Sequence, residues 1–300
     1  MAIYNFGSIN IDHVYLVPHF VTPGETLSAS NYQSVLGGKG ANQSIACAQA
    51  GADVKHVGTV HENDMTFVNT IREAGVDCQY ITLQSTTPTG HAIIQVSSSG
   101  ENAIVLYAGA NHSLQSQTVN NILHNARPSD WVLLQNETNA IDEIINEAAK
   151  KGVPIAFNPA PMTADTAKLP LEKVALLILN EVEAMQLTQT QDIPQAIVAL
   201  NTQYPNTKVI LTLGKAGVCY LHAGKRIDVA GFTVEAIDTT AAGDTFTGYF
   251  LANYISLADK HAPQQALKTA CAAAAIAVTR AGAAPSIPQA SEVDAFLAAQ

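Results

Sequence analysis

Short, almost wholly apolar runs alternate along this chain with longer stretches of helical period, and that alternation restricts the fold more than any other feature. Trp131 to Gln135, Val174 to Leu179 and Val209 to Leu213 offer no polar side to water, as expected of strands covered on both faces. Ile3 to Ile9, Val54 to Val60 and Ile155 to Asn158 read as further strands. Helical periodicity falls at Ala41 to Ala50, Ala140 to Lys150, Glu181 to Leu187, Gln195 to Leu200, Thr245 to Tyr254 and Leu267 to Thr279. Phe246, Phe250 and Tyr254 recur every four residues, so one aromatic stripe faces the core. The pattern predicts an α/β fold with a mostly parallel central sheet and helices on both faces.

Two regions depart from it. Residues 12–35 and 89–107 read as short strands joined by Gly, Pro and Ser turns, without a helix between them. They predict a small β-sheet lid, leaving residues 1–11, 36–88 and 108–300 as the large domain. A two-sided sheet of this kind exposes an apolar face, which predicts a homodimer contact through the lid.

With 300 residues, 47% of them apolar, a sizeable core is within reach. The excess of 25 acidic over 15 basic side chains opposes nonspecific binding to nucleic acid or an anionic membrane. Cys47, Cys78, Cys219 and Cys271 are scattered and lack zinc-site spacing, so they read as reduced core thiols. No leader or spanning segment stands out, and a cytoplasmic location is expected.

Chemistry concentrates where small residues open a helix. In Asp238-Thr-Thr-Ala-Ala-Gly-Asp-Thr-Phe-Thr-Gly248 the amides at a helix N-terminus lie bare, where the macrodipole also favours an anion. Asp244 falls in the first turn, placed to take a proton from an attacking hydroxyl, and Gly243 lets a phosphate approach the backbone. A carboxylate that merely complements the dipole explains Asp244 taken singly. Gly37-Gly-Lys-Gly-Ala-Asn42 also opens a helix, and its Lys39 and Asn42 suit sugar hydroxyls, or it is a plain strand-to-helix turn. Asn10 and Asp12, expected at the end of the first strand, share one side of it. Glu137 follows the strand that begins at Trp131, at a carboxyl end where open sheets bind ligands. Asn180-Glu-Val-Glu183 reads as a capping box or as a carboxylate for hydrated Mg²⁺. Thr212-Leu-Gly-Lys-Ala-Gly217, a strand followed by a second Gly-rich turn, reads as a lining for nucleotide phosphates or as a plain β-turn. Neither a Walker A motif nor a dinucleotide fingerprint occurs.

In their order along the chain these segments, with Gly7-Ser-Ile-Asn-Ile-Asp12, Pro23-Gly-Glu-Thr26, Ala108-Gly-Ala-Asn111, Asn158-Pro-Ala-Pro161 and Ala272 to Arg280, resemble the ribokinase branch of the PfkB carbohydrate kinases over almost the whole length. The resemblance implies a ribokinase-like fold and ATP-dependent phosphorylation of a sugar hydroxyl, with Asp244 as general base and Ala241, Ala242, Gly243 and Asp244 forming an anion hole. It implies sugar contacts from Asn10, Asp12, Gly38, Lys39, Asn42, Glu137 and Asp244. ATP contacts would come from Asn180, Thr212, Leu213, Gly214, Lys215, Ala216, Gly217, Gly243 and Cys271. Glu183 would hold Mg²⁺ through water, and Asp238, Thr240, Ala277, Arg280, Gly282 and Ser286 would surround an activating K⁺, mostly through backbone carbonyls. One loop departs from the family pattern: where a G-x-D-x-x-G loop is usual, this chain has His61-Glu-Asn-Asp-Met-Thr66 with both glycines replaced. The 5-hydroxyl of ribose is the acceptor the resemblance implies, with deoxyribose, a ketose or a nucleoside as alternatives and a noncatalytic sugar or nucleotide sensor as the remote one.

Overall fold

A computed structural model describes residues 1–257 and 263–300; the expected range 108–300 therefore includes five residues, 258–262, outside the described ones. The main sheet is nine-stranded. In spatial order it runs β13 (Lys225–Val229), β12 (Val218–His222), β11 (Lys208–Thr212), β10 (Leu176–Asn180), β9 (Ile155–Asn158), β8 (Trp131–Gln135), β1 (Ala2–Phe6), β4 (Asp53–His61) and β5 (Asp77–Gln84). All pairings from β5 across to β11 are parallel, and β12 and β13 close one edge as an antiparallel pair.

The apolar strands separate two cores by their period of two. Ile3, Trp131, Leu133, Ile178 and Ile210 point to one face, where α1 (Lys39–Gln49), α2 (Met65–Glu73), α7 (Ala242–Ser256), α8 (Gln264–Ala277) and α9 (Ala290–Ala298) pack. Phe6, Val132, Leu134, Leu177 and Leu211 point to the other, under α3 (Ser116–Asn125), α4 (Ile141–Lys150), α5 (Glu181–Thr188) and α6 (Ile193–Gln203). The aromatic stripe behaves as expected: Phe246, Phe250 and Tyr254 are buried in the first core, with successive rings stacked 6.2 Å and 5.3 Å apart.

A second, four-stranded sheet has the order β3 (Asn31–Gly37), β2 (Asn10–Val17), β6 (Gly90–Ser97), β7 (Asn102–Tyr107). Its β2–β6 pair is parallel and the outer pairs are antiparallel. Here the sequence expectation needs correction, because the first strand does not reach Ile9. It ends at Phe6, and Asn10 and Asp12 begin the lid strand β2 instead. Close packing forces the break: a Cβ on Gly7 would lie 2.5 Å from the Gly40 Cα, and the Ile9 amide is taken by Asn111 Oδ1 at 2.9 Å.

Helices α1 and α7 touch almost backbone to backbone at Gly248, where a Cβ would come within 2.4 Å of the Ala46 Cβ and 2.7 Å of the Cys47 nitrogen. That contact sets Asn42 and Gln43 against Asp244. Gly248→Ala should therefore cost about 1–3 kcal/mol, as overpacking of a tight core does. Urea denaturation reads this directly, and an unmoved midpoint would contradict the packing described.

Candidate active site

Both Gly-rich helix starts are candidates for an anion site, and their amides distinguish them. At α1 the protein consumes them: the Lys39 amide donates to Glu137 Oε2 (3.1 Å), Gly40 to Ser8 Oγ (3.1 Å) and Ala41 to the Ser8 carbonyl (2.8 Å). At α7 the amides of Ala241, Gly243 and Asp244 have no acceptor among the described residues. A Cβ on Gly243 would meet nothing within 4 Å, so the space above these amides is open. The expectation of four bare amides is corrected in one respect: Ala242 spends its N–H on the Thr239 carbonyl at 3.3 Å, closing the turn that starts the helix. Ala241 holds that turn in the left-handed region at φ 60°, a conformation a non-glycine residue keeps only at some cost.

Asp244 sits at the third position of α7 and is buried. Its Oδ2 accepts from Asn42 Nδ2 (3.0 Å) and its Oδ1 from Gln43 Nε2 (2.9 Å). Burial raises its pKa, while Lys39 and the two amide groups favour the charged form. Asn42 Oδ1 is buried beside it without a donor among the described residues, which leaves one acceptor for a ligand hydroxyl.

Asp244 lines a polar cleft of about 180 Å³ with Lys39, Asn158, Asn180, Glu183 and Gly243. Glu183 completes the capping box of α5: its Oε2 takes the Asn180 amide (2.9 Å) and its Oε1 the Asn180 Nδ2 (2.8 Å). Burial raises its pKa too. Capping uses one accepted bond at each carboxylate oxygen, so Glu183 keeps acceptor capacity while it caps α5.

Beneath the lid lies a second charged group. The Asp12 carboxylate has no hydrogen-bond partner among the described residues, and burial, reinforced by Glu137 and opposed by Lys39, pushes its pKa up to about 6. Lys39 Nζ stands 3.6 Å from Glu137 Oε1. Burial works against the Lys39 ammonium, yet Glu137, Asp244 and Glu183 together carry its pKa above the usual lysine value. Gly37 and Gly38 leave room for this cluster, since a Cβ on Gly37 would fall 2.1 Å from Asp12 Oδ2 and one on Gly38 2.9 Å from the Asn10 nitrogen. Asn10 is fixed by Asn111, whose Nδ2 donates to Asn10 Oδ1 at 2.7 Å. Ser8 and Asn111 stood in the quoted motifs without a role, and Gln43 directly follows one of them; what exposes them is the set of partners they reach across the fold.

A larger cavity of about 450 Å³ adjoins the polar cleft, lined by Thr212, Gly214, Lys215, Gly217, Phe232, Phe246, Cys271 and Gly243 among others. Thr212 and Gly243 border both spaces, so the two meet at the start of α7. Leu213 and Ala216 do not line it: Leu213 packs against the second core and Ala216 is exposed. Asn180 faces only the polar cleft.

Beside α7, Asp238 ties two loops together, its Oδ1 taking the Thr240 amide (2.8 Å) and its Oδ2 the Gly282 amide (2.9 Å). The carbonyls of Thr240, Arg280 and Gly282 have no donor among the described residues, whereas that of Ala277 receives the Arg280 amide at 3.0 Å. Buried Ser286 gives its hydroxyl hydrogen to the Ala283 carbonyl. Such an oxygen-only set suits a hard cation. The altered loop is anchored to the lid base, with the His61 amide donating to Thr89 Oγ1 (2.8 Å) and Thr89 Oγ1 to Asp64 Oδ2 (2.6 Å).

Residues 3–290 match the model of the pfkB family carbohydrate kinases. The chain belongs to that family. This kinase is similar to a ribokinase from Haemophilus influenzae, with 40% identity across 97% of this chain and 96% of that one. It is also similar to a deoxyribokinase from Salmonella typhi, 29% identical across 99% of both. Among solved structures it superposes on Arabidopsis thaliana ribokinase complexed with ribose and ATP, with a TM-score of 0.86, 29% identity and coverage of 99% and 98%. The kinase is accordingly a phosphotransferase with an alcohol group as acceptor.

The Asp12 carboxyl has a stability consequence in the ligand-free kinase. Because its folded pKa lies above the unfolded value, the folded chain holds the proton longer, and stability is lost as pH rises from about 4 to about 6. Asp12→Asn should then stabilise the protein by roughly 1–3 kcal/mol at neutral pH and leave it unchanged at acid pH. Paired denaturation curves at the two pH values check this; a variant less stable at both would contradict the burial described.

Proposed function

We propose that this kinase transfers the γ-phosphoryl group of ATP to the 5-hydroxyl of D-ribose, with Asp244 as general base. What chiefly supports it is the meeting of the two cavities at the bare amides of Gly243 and Asp244, next to the Asp244 carboxylate. ATP lies in the larger cavity, with Thr212, Gly214, Lys215, Gly217 and Cys271 around the nucleoside and its phosphates. The γ-phosphate then reaches the α7 N-terminus, where amides and dipole stabilise the charge spread over its oxygens in the transition state. Ribose lies under the lid, with Asp12, Asn10, Lys39, Glu137 and the unpartnered Asn42 Oδ1 around its hydroxyls.

The sugar oxygen attacks phosphorus, the bond to the β–γ bridging oxygen breaks, ADP leaves, and the hydroxyl proton passes to Asp244. An alcohol scarcely ionises at neutral pH, so the proton is needed late, as the new bond forms. Lid closure excludes water, the competing acceptor. Glu183 would hold the hydration shell of Mg²⁺, which when bound offsets phosphate charge. Asp238, with carbonyls of the 240, 277, 280 and 282 positions and Ser286, would surround K⁺ and brace the loop that starts α7. The exposed lid side chains Tyr32, Ile104, Val105 and Leu106 would pair with a second copy. An ATP-using enzyme with four free, buried cysteines suits the cytoplasm.

Asp244→Asn should retain sugar and ATP binding and lose at least ~10²-fold in kcat, the usual span for a general base. Near-normal turnover would discard Asp244 as the base. A coupled ADP assay across ribose, 2-deoxyribose, ketoses and nucleosides, with and without K⁺, tests the acceptor. Ribose should exceed 2-deoxyribose by about 10–10²-fold in kcat/KM, the effect of leaving a buried polar partner unmatched. The opposite order would make the chain a deoxyribokinase.

A further inference from the structure

Behind Asp244, on the side away from the cavities, a continuous line of buried polar side chains crosses the core from α7 to β4. Gln43 Nε2 donates to Asp244 Oδ1 (2.9 Å), and its second hydrogen points to Asn158 Oδ1 (3.3 Å). Gln43 Oε1 accepts from Gln135 Nε2 (2.8 Å), which also donates to Asn5 Oδ1 (2.9 Å). Asn5 Nδ2 donates to the Gly40 carbonyl and to Ser44 Oγ, both at 2.8 Å. Ser44 Oγ pairs with His56 Nδ1 (2.8 Å), and His56 Nε2 with the Gly7 carbonyl (3.1 Å). Asn5, Gln43, Ser44, His56 and Gln135 are all 0% exposed.

The polarity of this line has only one solution. A carbonyl oxygen cannot donate, so His56 must carry its hydrogen on Nε2 toward Gly7. Burial draws its pKa down to about 4, so the ring is neutral and Nδ1 is an acceptor. Ser44 must then donate to Nδ1 and accept from Asn5. The Gly40 carbonyl independently requires the Asn5 amino group on the same side, which turns Asn5 Oδ1 toward Gln135. Gln135 must donate to both of its neighbours, and Gln43 is left with its amino group toward Asp244. Every rotor is set so that the last hydrogen in the line meets the carboxylate. Five polar side chains buried in the core are costly compared with apolar packing, and the gain is a fixed hydrogen bond at one oxygen.

We infer that Gln43, Gln135, Asn5, Ser44 and His56 form an orientation relay that holds Asp244 Oδ1, leaving the free lone pair of Oδ2 turned to the acceptor hydroxyl. They are positioning residues, none touching the reacting atoms. The inference rests on Asp244 as the base and deepens that assignment. Lys39 from α1, Glu137 after β8 and Glu183 from α5 are the charged groups that also face Asp244, and none belongs to the relay.

The test measures kcat, KM and pH profiles of Gln43→Met, Gln135→Met and His56→Phe beside Asp244→Asn, with folded fraction and ATP binding checked for each. Gln43→Met should lower kcat by about 10–10²-fold with KM for the sugar within about 3-fold, the loss expected for one hydrogen bond to a charged group. Its acid limb should also move to higher pH, because a donor that favours the ionised form has gone. Gln135→Met and His56→Phe should show the same signature with decreasing size. A merely structural role would lower stability and leave the limb of the folded fraction in place, which would overturn the relay. ¹⁵N NMR of His56 in the wild-type protein needs no variant to fold: a neutral Nε2–H ring supports the polarity, and an Nδ1–H ring or an imidazolium at neutral pH overturns it. If Asp244→Asn stays active, the base assignment fails; if it is inactive while Gln43→Met keeps the wild-type kcat and limb, only the relay fails.

Discussion

The organisation of this kinase depends on unspent backbone amides at the start of α7. Two helices open with small residues beside the same cleft, and elementary accounting separates them. Ser8 and Glu137 fill the N-terminus of α1, so it works as a rigid mount that carries Lys39, Asn42 and Gln43. The N-terminus of α7 keeps donors in reserve, and unsatisfied donors beside a cavity are what an anion needs. The close α1–α7 contact at Gly248 joins the two helix starts into one rigid unit.

Charge is distributed around that unit with the opposite logic. Asp12, Glu183 and Asp244 all have raised pKa values because burial removes water from carboxylates, and Lys39 is the cation shared among them. Such a cluster costs the protein stability, a familiar exchange of stability for function. A net charge of -10 means that phosphate binding here is wholly local.

Much of this was legible in the sequence. Doubly covered strands announced themselves by lacking a polar side, and small residues before Asp244 marked a helix start open to a ligand. Two kinds of information were not. Where a strand stops depends on neighbours distant in the chain: Gly7 faces Gly40, and Ile9 is held by Asn111, so Asn10 and Asp12 fall in the lid and not at the end of β1. Side-chain convergence is equally hidden, since Gln135 meets Asn5 across 130 positions and Gln43 meets Asp244 across 201. The turn at Thr212 shows a third limit: the family resemblance implied ATP contacts at every position from 212 to 217, and only the fold shows that the Leu213 side chain packs against the second core.

The most direct measurement is a crystal structure of the enzyme with ribose, ADP and aluminium fluoride, which mimics the phosphoryl group in flight. The account predicts the fluoride ligands against the Gly243 and Asp244 amides, and the Asp244 carboxylate about 2.6–3.2 Å from the sugar oxygen in line with aluminium. Aluminium fluoride bound away from α7, or an Asp244 carboxylate turned from the sugar, would contradict it.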